Sequence, residues 1–314
     1  MLIKILAIIF LIILFFLLSK SADIIVLHLR KTGEKLGVKI FILGIILGIM
    51  TSLPEMAIGI NSTIKEISEI SFGNMMGGII VLFSLILAVS SILNRKIKTE
   101  KKSWPFLMTL FFLFFPLVLA FKGELNRLDG IIMISSYILL IYYLYQNHKE
   151  INWPKLEIIN TKEIAKHIFY IIIGIIGLII FSQLIVDTTL FILKDYNISP
   201  FIIGLLFYSI GTNLPELIIA IRSFKRKVGD LSFNNLIGST MGNVLILGIL
   251  SFIKPIPITV DASYFYLMIF SLSLFILLYI FYKTDQLLSR KEGFVLILMY
   301  LIFIGGQIAI QFSF

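Results

Sequence analysis

The chain has 314 residues, 59% of them hydrophobic and only 14% charged, and its mean hydropathy is +1.03. Soluble proteins carry nearer a quarter charged residues, so the expected fold class is an all-α polytopic membrane protein, and a nucleic-acid binder is excluded despite the net charge of +9. There is no cysteine, which rules out disulfides and thiolate ligands, and His28, His148 and His167 each sit beside a predicted membrane edge, so no histidine-based zinc or haem centre is expected.

In chain order, apolar runs long enough to cross a ~30 Å hydrocarbon core predict ten transmembrane helices. They lie at 2–28, 38–63, 70–93, 104–121, 128–147, 165–192, 199–224, 231–253, 260–282 and 293–313. The first resembles a signal peptide from Lys4 to Leu18, but the apolar run continues through Val26 and reads as a membrane helix. The longest connection contains Trp153-Pro154 and alternating charges, and divides the chain into halves at 1–147 and 165–314 with a linker at 148–164.

Basic residues set the topology. The loops after helices 1, 3, 5, 7 and 9 hold Arg30 to Lys39, Arg95 to Lys102, Lys149 to Lys166, Arg222 to Lys227 and Lys283 to Lys291. The other side holds only Lys4, Lys65, Lys122, Arg127, Lys194 and Lys254. The positive-inside rule therefore puts both termini outside and the central linker in the cytoplasm, for a multi-pass protein of the plasma membrane.

Two segments repeat. Thr51-Ser52-Leu53-Pro54-Glu55 in helix 2 is echoed by Thr212-Asn213-Leu214-Pro215-Glu216 in helix 7. Phe41-Ile42-Leu43-Gly44 precedes the first and Phe201-Ile202-Ile203-Gly204 the second. At equal distances downstream come Asn74 with Gly77, and Asn235 with Gly238. Each half has five helices, an odd number, so the second copy enters the membrane inverted. That is the signature of secondary transporters with a site near the midplane.

An ionised side chain at bilayer depth costs at least ~2.5 kcal/mol and is functional by default. Proline lacks an N–H and disfavours helix in the residue before it, so Pro54 and Pro215 are expected to break helices 2 and 7 and open new half-helices. The break frees carbonyls near Thr51 and Thr212. Together with hydroxyls and Glu55 and Glu216 they form an all-oxygen, anionic shell suited to hard cations. The bland reading has each glutamate only capping its half-helix.

The facing helices add a second set. Asn235, Ser239 and Asn243 share one helical face, and their counterparts in the first half are Asn74, Gly78 and Leu82. In the plainer reading the asparagines and serines glue helices together. Gly59 and Ala220, one turn after each glutamate, leave room for a close neighbour. Asp23 and Asp187 are read as interfacial or paired with Lys20 or Gln183, and Lys65, Glu66 and Glu69 as a solvated outer edge.

These paired motifs, each followed by an Asn-x-x-Gly helix, resemble the two inverted repeats of the sodium/calcium exchangers in the calcium/cation antiporter superfamily. The resemblance covers nearly the whole chain. It implies alternating access to one central site where Glu55 and Glu216 bind Ca²⁺ or Na⁺, assisted by carbonyls near Thr51 and Thr212, the Ser52 hydroxyl and Ser239. It also implies no cofactor and no enzymatic activity, with inorganic cations and the lipid bilayer as partners and no obligatory protein partner. The chain departs from the family pattern at several places. Asn243 stands where an Asp is common, Gly78 and Asn213 where Ser is usual, and Leu82 at a polar position. Met50 replaces a Gly, and the first motif runs one residue shorter from Gly44. Three-to-one sodium/calcium exchange is therefore not assured, and proton-coupled or lower-stoichiometry exchange stays open. A transport-impaired family member, a passive cation channel and an intramembrane enzyme are the remaining alternatives.

Overall fold

Apolar surroundings cannot satisfy backbone N–H and C=O groups, so each segment must close its own hydrogen bonds, and helices dominate. A computed structural model describes residues 2–35, 51–94, 96–98, 103–147, 161–193, 198–214, 216–217, 231–283 and 287–313. The elements are α1 (Leu2–Lys35), α2 (Leu53–Ile64), α3 (Glu69–Ile80), π1 (Val81–Ile86), α4 (Leu87–Asn94), β1 (Lys96–Lys98), α5 (Ser103–Ala120), β2 (Glu124–Leu125) and α6 (Arg127–Asn147). After the central linker come α7 (Thr161–Leu193), α8 (Pro200–Ile202), π2 (Ile203–Tyr208), α9 (Ser209–Thr212), α10 (Leu231–Ile253), β3 (Ile256–Pro257), α11 (Ala262–Lys283), β4 (Leu287–Ser289) and α12 (Arg290–Ser313).

Among the described residues seven helices are long and apolar enough to cross a membrane, and Trp104–Ala120 and Pro200–Thr212 are shorter apolar helices. The expected first parts of helix 2 (38–50) and last part of helix 7 (218–224) lie outside the described residues, as do Ala220 and the linker at 148–160. Burial sorts the helices into two classes. The stretches Glu69–Leu93 and Leu236–Ile253 are 78% and 72% buried, whereas Glu163–Ile192 is 22% buried. The two helices that follow the Pro-Glu motifs therefore form the centre, and the others present apolar faces outward.

Central packing needs backbone contact, because apolar side chains gain little by leaving lipid for a protein neighbour and small residues let helices approach. At Gly73 an added Cβ would strike the Phe201 carbonyl oxygen, and at Gly204 it would strike that of Ile70. Thus α3 and π2 cross at van der Waals distance through two reciprocal glycines. Gly59 behaves as anticipated: a Cβ there would come 2.5 Å from Leu250 Cδ1 of α10.

Two features depart from the all-α expectation. Short antiparallel ladders tie loops together, β1 with β4 (Lys96 opposite Ser289) and β2 with β3 (Glu124 opposite Pro257). In addition, the six-residue π-helical segments π1 and π2 interrupt the helices α3–α4 and α8–α9. A π turn accommodates an extra residue without breaking the helix. The second motif is one residue longer from Gly204 to Glu216 than the first from Gly44 to Glu55, and π2 lies in that interval.

Loop contacts fall into two sets. One joins the loop after α4 to that before α12, through β1–β4 and an Arg290 Nε donation to the Ile92 carbonyl at 2.7 Å. The other joins the ends of α2, α5, α7 and α10. Here Lys65 pairs with Asp187, Lys254 with Glu66 at 3.5 Å, and Thr259 donates to Glu69 at 3.2 Å. The first set joins the loops expected after helices 3 and 9, and the second joins the turn expected after helix 2 to the loop expected after helix 8 and to α7. Asp23 pairs with Lys20 at 3.4 Å as one expectation had it. Asp187 takes Lys65 rather than Gln183, and the Lys65–Glu69 edge is cross-linked to neighbouring helices rather than merely solvated.

Candidate functional site

The two motifs adopt the same local geometry. Ser52 has φ −92° and ψ 15°, and Asn213 has φ −92° and ψ 13°, both in the sparsely populated bridge region. The Ser52 carbonyl accepts from Met56 N–H at 3.0 Å, and the Asn213 carbonyl accepts from Leu217 N–H at 3.2 Å. Pro54 sits in the first turn of α2, where its missing N–H would be unpaired in any residue. Pro215 lies outside the described residues.

This geometry delivers both acids to the interior. Glu55 and Glu216 are only 2% and 5% exposed. They lie near enough for Glu216 to feel the charge of Glu55, and the Thr212 hydroxyl faces the Glu55 carboxylate. Oε2 of Glu55 and Oε2 of Glu216 are buried with no hydrogen-bond partner. Among the described residues neither acid has a basic neighbour within ion-pair range. Paired, uncompensated carboxylates in a dry interior are costly unless positive charge joins them.

The surrounding polar groups are tied crosswise between the halves. Thr51 Oγ1 lies 2.9 Å from Ser239 Oγ, and Ser52 Oγ donates to the Ser239 carbonyl at 3.2 Å. The first motif is thus held by α10. The second is held by α3, with Thr212 Oγ1 3.3 Å from Asn74 Oδ1. Ser52 therefore gives its hydroxyl to the facing helix and not to its own helix end.

The amides fill space that the sequence departures created together. Asn213 donates to the Ser209 carbonyl at 2.8 Å, and Asn243 Nδ2 lies 3.5 Å from the Met75 carbonyl. A Cβ at Gly78 would come 2.7 Å from Asn243 Nδ2 and 3.2 Å from Asn213 Nδ2. Gly78 is therefore the vacated side chain that lets two longer ones in. Asn243 Oδ1 and Asn74 Nδ2 remain buried without partners.

Of the anticipated residues, Ser52, Glu55, Asn74, Thr212, Asn213, Glu216, Ser239 and Asn243 are buried where α2, α3, α9 and α10 meet, and Thr51 is half-buried at its margin. The Asn235 side chain lies outside the described set. Leu82 is fully buried in π1 and belongs to the apolar core. Sequence reasoning missed Tyr208 and Ser209. Tyr208 is buried and its hydroxyl lies 2.7 Å from that of Thr189, while Ser209 accepts the Asn213 amide through its carbonyl. The clue lay in the unusual polar run Tyr208-Ser209 just ahead of the second motif.

The family described as sodium/calcium exchanger protein matches residues 6–146 and 166–309. The chain belongs to the sodium/calcium exchanger family. Its relatives within that family include the sodium/calcium exchanger MaX1 of Methanosarcina acetivorans, 27% identical over 333 residues covering 91% of this chain and 94% of that protein. The uncharacterized membrane protein MJ0091 of Methanocaldococcus jannaschii is 28% identical over 297 residues, covering 92% and 94%. Among solved structures, the sodium-calcium exchanger NCX_Mj soaked with Na⁺ and Sr²⁺ aligns with a TM-score of 0.66 at 26% identity, covering 96% of this chain and 99% of that one. The H⁺/Ca²⁺ exchanger CAX aligns with a TM-score of 0.75 over 98% of this chain and 88% of that one, and at 16% identity the likeness is one of fold. The relatives and structures named as exchangers are transporters.

Proposed function

We propose that this exchanger moves Ca²⁺ against Na⁺ or H⁺ by alternating access to the pocket between Glu55 and Glu216. The observation that carries the reading is the set of unpartnered buried oxygens, Glu55 Oε2, Glu216 Oε2 and Asn243 Oδ1, in a region lined by hydroxyls and carbonyls. Hard divalent cations take such oxygen shells, and two carboxylates neutralise one of them. Thr51, Ser52, Thr212, Asn213 and Ser239 contribute neutral oxygens, and Asn74 positions Thr212.

Two inverted five-helix repeats supply the acids. The matched backbone of Ser52 and Asn213 and the reciprocal Gly73 and Gly204 contacts support that architecture. A family match that is interrupted between residues 146 and 166 supports a linker there. The protein sits in the plasma membrane with both termini outside, as basic-residue placement favours.

Calcium uptake into proteoliposomes under an imposed Na⁺ or pH gradient tests the function. Glu55→Gln and Glu216→Gln each keep the side-chain volume and remove one charge. Each is expected to abolish exchange while the purified protein remains folded and monodisperse. Uptake that persists at the wild-type rate in both variants would reject the site.

A further inference from the structure

Charge fixes how many ions such a pocket can hold. The sequence contains 18 acidic residues, and those lying well inside apolar helices are Asp23, Glu55, Asp187 and Glu216. Asp23 pairs with Lys20 at 3.4 Å, and Asp187 pairs with Lys65; both are about half exposed, at 47% and 49%. Asp129, buried at the start of α6, is held by Lys122 at 2.6 Å. Among the described residues only Glu55 and Glu216 bring uncompensated negative charge to the interior. Among the described residues no group of three or more His, Asp or Glu side chains assembles anywhere.

Every other oxygen at the site is neutral. Beside Asn213 of the second motif, over Gly78, lies Asn243, 1% exposed, whose unpartnered Oδ1 offers a dipole and no charge. Two positive charges neutralise the pocket. A third monovalent cation would leave a net positive charge among neutral oxygens in a low-dielectric interior, where uncompensated charge is strongly disfavoured.

We infer that the exchanger is electroneutral, carrying one divalent cation in one direction and two monovalent cations in the other, and that the neutral amide of Asn243 sets this stoichiometry. The inference rests on the reading that Glu55 and Glu216 hold the transported ions. No net charge crosses the membrane in a cycle, so the voltage does no work on the exchange.

The test is the equilibrium Ca²⁺ accumulation ratio of wild-type proteoliposomes at a fixed Na⁺ or pH gradient, with the membrane potential clamped by K⁺ and valinomycin. The expected result is the same ratio at every clamped potential. One uncompensated charge per cycle would shift it by about fifty-fold per 100 mV, the equivalent of ~2.3 kcal/mol. A shift of that size in the wild type, with Glu55→Gln and Glu216→Gln still inactive, overturns the stoichiometry and leaves the site intact. Failure of any gradient to drive accumulation overturns the exchange reading itself. In Asn243→Asp a third carboxylate admits one more monovalent cation, and the fifty-fold dependence is expected to appear. Accumulation by that variant that stays independent of potential would overturn the role given to Asn243.

Discussion

Replacing Gly204 with Ala drives a methyl group into the backbone of the neighbouring helix. The new Cβ would meet the Ile70 carbonyl oxygen, and would lie 2.9 Å from Asn74 N and 3.0 Å from Ile70 C. Ordinary contacts at such atoms begin near 3.4 Å, so α3 and π2 must separate by roughly 0.5 Å or more. A separation of that size carries the Thr212–Asn74 contact from 3.3 Å beyond hydrogen-bond range. Overpacking costs about 1–3 kcal/mol and the lost buried hydrogen bond about 1 kcal/mol more. The expected loss is therefore about 2–4 kcal/mol, read as a fall of roughly 3–6 °C in the melting temperature of the detergent-purified protein. Calcium exchange is expected to fall as well, because Thr212 no longer holds its place against Glu55. Gly305→Ala is the control, since a Cβ there meets nothing within 4 Å and helix propensity favours Ala by up to ~1 kcal/mol. Wild-type stability and exchange in Gly204→Ala, or equal losses in both variants, would refute the claim that the two halves interlock by backbone contact at the site.

Three further outcomes follow from the same geometry. Gly78→Ser crowds Asn243 and Asn213 and is expected to lower both stability and exchange. Asn213→Ser in the same chain makes room again, so a double-mutant cycle should show a favourable coupling of about 1 kcal/mol or more, and simple additivity would contradict the shared space. Tyr208→Phe removes a buried hydroxyl bonded to Thr189 and should destabilise by about 1–2 kcal/mol in thermal unfolding, whereas no change would show that the bond contributes nothing. Lys65→Ala removes an ion pair whose side chains are 23% and 49% exposed. At such a boundary the effect on melting should stay within about 1 kcal/mol, and a larger loss would mark the outer cross-link as structural.

Individual helix spans were readable because a membrane imposes long apolar runs, and the ends of α5, α6, α10, α11 and α12 fall within a few residues of those expected. The paired motifs were readable because a carboxylate beside a proline in such a run has no ordinary structural purpose. What no local pattern carries is contact between the halves. The Thr51–Ser239 and Thr212–Asn74 ties, the shared space over Gly78, and the Lys65–Asp187 pair each join residues more than a hundred positions apart. The π segments were hidden for another reason. Their apolar sequences, Val81–Ile86 and Ile203–Tyr208, suit an α-helix equally well, and only the one-residue mismatch between the two motifs hinted at π2. Gly78 and Asn213, which as isolated letters look like losses of ligands, are complementary in space.

The transported cation is expected to be shared by two acids from opposite halves. Anomalous scattering from crystals of the wild-type protein soaked in Sr²⁺ observes that directly. The predicted result is one dominant peak bounded by the carboxylates of Glu55 and Glu216, absent from crystals of Glu216→Gln. A peak held by other residues, or no peak at the pair when the protein transports Sr²⁺, would contradict it.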